Sequence, residues 1–278
     1  MPLVAKPIRT KYWRPGHDFL EIVASAVSRF LADGDIVVIS EKAISVATGR
    51  VVDESGRKPG IMAKALVRVW MRLVWGHFLG RLCHLSHKTL RRLRRYPIPE
   101  GEAHKEITLR HAGLGQSLLH YSEGGIDVTN LPYALAVLPL PNPDEVGAML
   151  LRRLKESCGK EVTVMITDTD KTYSKKGTHI TPRPKAIRGI RSLGLLALIL
   201  GRVFRWTAQA TPLTVCGRPM KVDDALAVAD LADRARGFGA GRTVWDMART
   251  FHVGFIEVTW EMLDQVEHNP IVIVRKVG

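Results

Sequence analysis

Two short runs constrain this chain more than anything else in it: "IVVIS" at 36–40 and "EVTVMIT" at 161–167. Each follows a turn signal, "ADGD" in one case and "SCGK" in the other. Both are shorter than a buried helix and rich in β-branched residues, so both read as buried strands. Each also stops abruptly on polar residues, "SEK" and "DTDKT". A strand that simply leaves the core would end this way. So would a strand that delivers carboxylates to a site.

The remaining pattern is mostly helical. "HDFLEIVASAVSRFL" (17–31) places Phe19, Ile22, Val23, Ala26, Val27 and Phe30 on one face, behind a candidate N-cap at Asp18. From Pro59-Gly60 to about Leu93, Trp70, Leu73, Val74, Phe78 and Leu82 recur at helical spacing, which predicts one or two helices closed by Pro97 and Pro99. "EITLR" and "SLLHY" flank "HAGLG" and read as two strands around a turn. An apolar strand in "YALAVL", a Pro-rich turn and a helix beginning near Pro143 complete the approach to the second buried strand. "GLLALILG" (194–201) is far short of the ~20 residues of a membrane helix and reads as a buried helix or strand pair. Strands and helices mixed in this order, without repeat or low-complexity linker, predict an α/β or α+β arrangement in one interwoven unit.

Composition narrows the function. A chain of 278 residues with 46% hydrophobic content can build a sizeable core. Three separated cysteines, Cys83, Cys158 and Cys216, give neither a disulfide framework nor a zinc ribbon, and the first residues lack the order of a secretory signal. A cytoplasmic protein is expected. Forty-one Lys and Arg against 27 Asp and Glu give a net charge of +14, which suits a partner carrying phosphates: nucleotide, nucleic acid or membrane surface. The basic run "KTLRRLRRYP" (88–97) reads first as a solvated helix end and second as a phosphate contact. His77, His84 and His87 have no carboxylate beside them, which weakens a metal reading, and "GFGAG" (237–241) lacks the strand and the G-K-[ST] of a phosphate loop.

The aspartates at 168 and 170 admit three readings. The first is a strand tip in solvent. The second is the D-x-D-x-T nucleophile loop of haloacid-dehalogenase-like phosphotransferases, which normally opens its domain, whereas here only about 110 residues follow. A calcium loop fails because Tyr173 stands where the turn glycine belongs. The third joins Asp168 and Thr169 to a second elbow, "EGGIDVTN" (123–130), whose Asp127 and Asn130 would make an oxygen-rich site. Hard cations such as Mg2+ or Mn2+ take one or two carboxylates, hydroxyls and phosphate oxygens.

In order and spacing, "GDIVVISEKAISVATGR" (34–50), "EGGIDVTN", "LPLPNPDEVGAMLLRRLKE" (138–156) and "VMITDTD" (164–170) resemble the coenzyme F420-0:L-glutamate ligase family, over roughly residues 5–170. The resemblance is weaker in "DDALAVADLADRARG" and "NPIVIVRKVG". It implies an α+β interwoven mixed-sheet fold, one unit over 1–278 with an insertion around 238–262, assembling as a homodimer. It also implies a GTP-dependent ligase that phosphorylates a deazaflavin-type acid and lets the amine of L-glutamate displace the phosphate. By the same resemblance Asp127, Asp168 and Thr169 hold Mg2+ or Mn2+. Lys6, Pro7, Ile8, Arg9, Ser40, Glu41 and Asn130 contact the nucleotide, and K+ is an additional cation. No side chain is assigned as a catalytic acid, base or nucleophile.

Three departures stand out. Val46 occupies the place of a nucleotide-contacting lysine, with Lys42 one helical turn earlier. Lys171 and Thr172 stand where many members read G-R, and "QVEHN" (265–269) replaces an acidic, glycine-rich loop. They leave open a divergent family member that binds nucleotide or nucleic acid without ligation.

Overall fold

The computed structural model describes residues 2–121 and 123–277. In chain order the elements are β1 (Leu3–Ile8), α1 (Phe19–Val27), β2 (Ile36–Ser40), α2 (Glu41–Ala47), β3 (Val51–Asp53) and α3 (Ile61–Ala65). The last of these widens into π-helical turns over Leu66–Leu79 and continues as α4 (Gly80–Leu82), α5 (His87–Arg94), α6 (Ile98–Ser117) and β4 (Leu135–Val137). Then come α7 (Pro143–Cys158), β5 (Thr163–Lys175), β6 (Thr178–Thr181), β7 (Arg191–Ser192), α8 (Leu195–Val203) and β8 (Thr207–Cys216). The chain finishes with α9 (Val222–Arg236), α10 (Val244–Phe251), α11 (Trp260–Leu263) and β9 (Ile271–Lys276). The whole is an α+β fold.

Both sequence-predicted buried strands lie at the centre. β2 and β5 pair in parallel from Ile36↔Thr163 to Ser40↔Thr167, β9 runs antiparallel between β1 and β2, and β8 runs antiparallel along β5. Alternation along these strands splits the core into two layers. Val37, Ile39, Val164, Ile166, Ile271 and Ile273 face α1 and α7. Ile36, Val38, Met165, Val272 and Val274 face the alanine stripe of α9, Ala225, Ala229 and Ala232. Continuous apolar strands are what a sheet covered on both faces demands. Helix α1 begins as its sequence predicts, with the Asp18 carboxylate accepting from the Leu20 and Glu21 amides at 3.0 and 3.1 Å.

One expectation is overturned. "EITLR" and the "HAGLG" turn lie in α6, and "SLLHY" forms its end and the loop beyond. Ala103, His104, Ile107 and Thr108 are buried at helical spacing, and Gly113, at φ +80°, kinks the helix without reversing the chain. The Ile-Thr pair that suggested a strand is outweighed by packing of the whole segment. Pro97 and Pro99 stop α5, as expected, and also start α6.

A second apolar cluster joins Val67, Met71 and Trp75 of the π-helical segment to Tyr173, Ile180, Ala197 and Leu198, so "GLLALILG" is helix. Residues 238–262 contribute Ala240, Met247 and Val258 to a small cluster of their own, closed by Tyr12 and Leu263. Among the described residues no helix is long and apolar enough to cross a membrane.

Candidate active site

The site grows out of the point where β2 and β5 part. Their parallel pairing ends at Ser40↔Thr167, and β5 then slips register against β8 between Ile166 and Thr167 and again between Asp168 and Lys171. Beyond the slips β5 pairs with β6 instead of β2. Bulges expel residues from the ladder and re-aim their side chains. Here they turn Asp168, Thr169 and Asp170 onto the wall of a cavity of about 980 Å3 at the carboxyl ends of both parallel strands. Ser40 and Glu41 reach the same wall from the β2–α2 junction. Asp127 reaches it from the elbow after α6.

Each carboxylate meets a cation of the protein. Lys42 donates to Asp127 and, at 3.1 Å, to the Thr129 carbonyl oxygen, while the Thr129 amide donates to Asp127 Oδ1 at 2.8 Å. Burial would raise the Asp127 carboxyl, but Lys42 more than reverses this and holds it below the usual range. Arg183 is enclosed almost completely and donates through Nη2 to both oxygens of Glu41, at 2.9 and 2.8 Å. Its Nη1 lies 3.1 Å from Asp168 Oδ2 and 3.9 Å from Asp170 Oδ2. Glu41 also accepts from the Leu140 amide at 3.0 Å. Burial pushes the Glu41 carboxyl up, Arg183 pulls it down, and the neighbouring Asp168 charge adds to the rise. Asp233 of α9 accepts from Thr169 at 3.1 Å and from Lys171 at 3.0 Å. Arg236, one turn later, donates to Thr167 at 3.1 Å.

Beneath the same cavity lies a charge-balanced tetrad. His104 Nδ1 is 2.7 Å from Glu54 and its Nε2 is 3.7 Å from Glu123, which Lys105 meets at 2.8 Å. The Lys105 ammonium also donates to the Ser117 and Leu119 carbonyls, both at 2.8 Å, tying down the end of α6. Burial lowers the His104 pKa, but Glu54 and Glu123 overwhelm it and push the imidazolium up to about 10. Tyr96, Phe238, Trp245 and Phe255 line the apolar remainder of the wall. A cavity of this volume, apolar with converging polar groups, has the form of a small-molecule site.

The sequence-predicted residues fall into three groups. Ser40, Glu41, Asp127, Asp168 and Thr169 share the large cavity. Asn130 lines a smaller adjoining one of about 150 Å3, together with Val46, Tyr12 and Trp13. Its side chain, on a backbone at φ +57°, holds the 238–241 loop by donating to the Phe238 and Gly241 carbonyls at 3.1 and 3.2 Å and accepting from the Ala240 amide at 2.8 Å. Lys6, Pro7, Ile8 and Arg9 line neither cavity; Lys6 instead sits 3.4 Å over the Phe30 ring.

Arg183, Asp233 and the tetrad escaped sequence reasoning. Arg183 sits between two prolines in "TPRPK", without periodicity to mark it. Asp233 was legible in principle, since it interrupts the small-residue face of α9 one turn after Ala229.

The donor set suits a hard cation. Asp127, Asp168 and Thr169 offer only oxygen, and Asp168 Oδ2 is buried without a hydrogen bond, its approach to Arg183 being an ion pair of poor hydrogen-bond geometry. Among the described residues no three acidic, histidine or cysteine side chains gather as a self-sufficient metal cage. Asp127, Asp168 and Thr169 could hold such a cation only with further oxygens from a ligand, a supply usual for Mg2+.

Comparison with known proteins settles the lineage. The family model for F420-0:Gamma-glutamyl ligase matches residues 7–239, which takes in both strand tips, the Asp127 elbow and α9. The chain belongs to this family. Along 98% of its length it is 35% identical to an uncharacterized protein of Methanocaldococcus jannaschii, covering 96% of that protein. It is 28% identical over 169 residues to the coenzyme F420:L-glutamate ligase of Methanothermobacter thermautotrophicus and 29% identical over 165 residues to that of Archaeoglobus fulgidus. These matches cover 58% and 59% of this chain, and 59% and 58% of the two ligases. Val46 is buried against Leu131 and Val137, and Lys42 is the cation that reaches Asp127.

Proposed function

We propose that this protein is a GTP- and divalent-metal-dependent amide ligase that joins L-glutamate to a deazaflavin-type acid, working in the cell interior as a homodimer. The observation that carries the reading is convergence: Ser40, Glu41, Asp127, Asp168 and Thr169, separated by up to about 130 positions in the chain, meet on one cavity wall. Family membership supplies the reaction class. In such a reaction a carboxylate oxygen of the acid attacks the γ-phosphorus of GTP and GDP leaves. The glutamate nitrogen then attacks the acyl carbon, phosphate departs, and the amine gives up a proton.

The chain's own residues have definite tasks. Asp127, Asp168 and the Thr169 hydroxyl would hold Mg2+ or Mn2+, which when bound offsets the repulsion between two anions. Lys42 and Arg183 pair with Asp127 and Asp168 and orient them before any ligand arrives, so little reorganisation is needed on binding. Asp233 fixes Thr169 and Lys171, aligning the segment after the bulge. The cavity is roomy enough for a nucleotide beside an acid, and its aromatic side offers stacking surface. K+ would serve as an additional cation.

Asp168→Asn tests the reading. The exchange preserves shape, and Glu41 still pairs with Arg183, so the fold should survive. Calorimetric titration with GTP should lose its Mn2+ dependence in Asp168→Asn and in Asp127→Asn, while thermal melts of the apo-proteins move by only a few degrees. The double variant should bind little worse than either single one, because both act on one ion. Unchanged Mn2+-dependent affinity in Asp168→Asn would sink the shared-metal site.

A further inference from the structure

The large cavity has a second polar group, formed by residues outside the family motifs. Arg202, in the last turn of α8, lines it and donates to Tyr173 Oη at 3.2 Å and to Tyr121 Oη at 3.4 Å. The two phenols stand 3.1 Å apart. Of the other cations lining the cavity, Lys42, Lys171 and Arg234 each hold a carboxylate, while Arg57 donates to the Asp53 carbonyl and Arg242 lies over the Phe238 ring. Among the described residues no carboxylate oxygen lies within 4.0 Å of the Arg202 guanidinium, whose partners here are neutral phenols.

Counting donors shows what is missing. Arg202 bonds the phenols through Nε and Nη2, leaving Nη1 without an acceptor among the described residues. Of the two phenolic protons one serves the other phenol, and the second has no described acceptor. His120, the residue before Tyr121, also lines the cavity, with its ring centroid 4.4 Å from those of Trp75 and Tyr121. Its Nδ1 is buried and makes no hydrogen bond. Burial, reinforced by the Arg202 charge, lowers its pKa to about 3, so the ring is neutral and can present an N–H. Arg202 is half-buried, so its spare donor is open to the cavity, where a charge-assisted hydrogen bond to an anion would be stronger than one to a neutral phenol.

We infer that Arg202, Tyr121 and His120 form an oxyanion subsite, which takes a carboxylate or phosphate group of the substrate within the cavity that Asp127 and Asp168 also line. This deepens the ligase reading and rests on it for the word substrate. The aspartates would hold the reacting groups, and Arg202 would anchor a non-reacting anionic group of the acid or of glutamate. Charge-assisted hydrogen bonds of this kind decide affinity and position together.

The experiment titrates the full-length protein with glutarate and, separately, with inorganic phosphate, without nucleotide, following binding by calorimetry. Arg202→Gln should weaken at least one of the two by roughly tenfold or more, and Arg202→Lys should restore part of the loss. Tyr121→Phe, which keeps the ring and removes one hydroxyl, should weaken the same probe by a smaller factor and stands in if Arg202→Gln does not fold. An effect on glutarate alone assigns a carboxylate, and an effect on phosphate alone assigns a phosphate group. Equal affinities in wild type, Arg202→Gln and Tyr121→Phe, with only the melting temperature lowered, would overturn the subsite and leave Arg202 a brace for two tyrosines. GTP titration with Mn2+ in parallel separates the two readings. Failure of GTP binding with an Arg202-dependent anion site counts against the ligase alone, and the converse counts against the subsite alone.

Discussion

Arg183 is the residue on which the candidate site turns, and its sequence context conceals it. Its guanidinium can reach Glu41 and Asp168 only because position 125 has no side chain: a Cβ there would lie 1.5 Å from Arg183 Nη1. The backbone at Gly125 is also in the left-handed region, φ +95°, so the glycine is required twice over. Removing one partner of a buried ion pair strands the others, at a cost of roughly 3–5 kcal/mol. Arg183→Met should therefore lower unfolding stability by about that much, measured by chemical denaturation. Gly125→Ala should do comparable damage, and the double variant should lose less than the sum of the two, because the clash vanishes with Arg183 and only the backbone strain at φ +95° remains. Additive losses would mean that the two positions act independently. "EGGID" was legible as a turn with a carboxylate. That its second glycine makes room for a cation 58 positions away was not, because the partner is distant in sequence.

At the scale of elements, legibility followed burial pattern. β2 and β5 announced themselves as apolar runs because a sheet covered on both faces needs them so. Helix α1 announced itself by its cap. The helix α6 did not, since its inner face mixes Ile107 and Ala103 with Glu102, His104 and Lys105, all buried, and such a face has no apolar stripe to read. The same buried charges make α6 pH-sensitive. His104 titrates at about 10 in the fold against 6.5 ordinarily, so between these values the folded state holds a proton that the unfolded chain has released. Its contribution is fully present below about pH 6.5 and is lost as the pH rises through 10. Stability measured by denaturant titration should fall between pH 7 and pH 10 in the wild type, and His104→Gln should flatten that slope while lowering stability near neutrality. An identical slope in the variant would remove His104 from the account. The basic run of α5 proved in part to be a tether: Arg92 and Lys88 reach Asp246 of α10 at 2.8 and 3.1 Å, and Arg94 caps the Gly76 carbonyl at 2.8 Å.

For the whole molecule, the sheet does more than support a core. It brings two parallel strand ends together, the bulges of β5 open them into a cavity, and α9 closes the far side with Asp233. Parallel strand ends are where ligands commonly bind in sheets of this kind. The order of motifs in the sequence disclosed the family and part of this cavity's lining. Arg202, Tyr121 and His120, which also line it, were hidden because they come from segments that carry no motif. The most direct test supplies the protein with GTP, Mn2+, L-glutamate and a deazaflavin acid, and follows the acid by mass spectrometry and the nucleotide by chromatography. A ligase yields the acid with one added glutamate residue and one GDP for each amide formed. Both products fail to appear in the Asp168→Asn variant and in wild type run with chelator, and without glutamate no amide forms and GDP stops at no more than about one per enzyme molecule. GTP consumed at the same rate with and without glutamate, with the acid unchanged in mass, would contradict amide ligation.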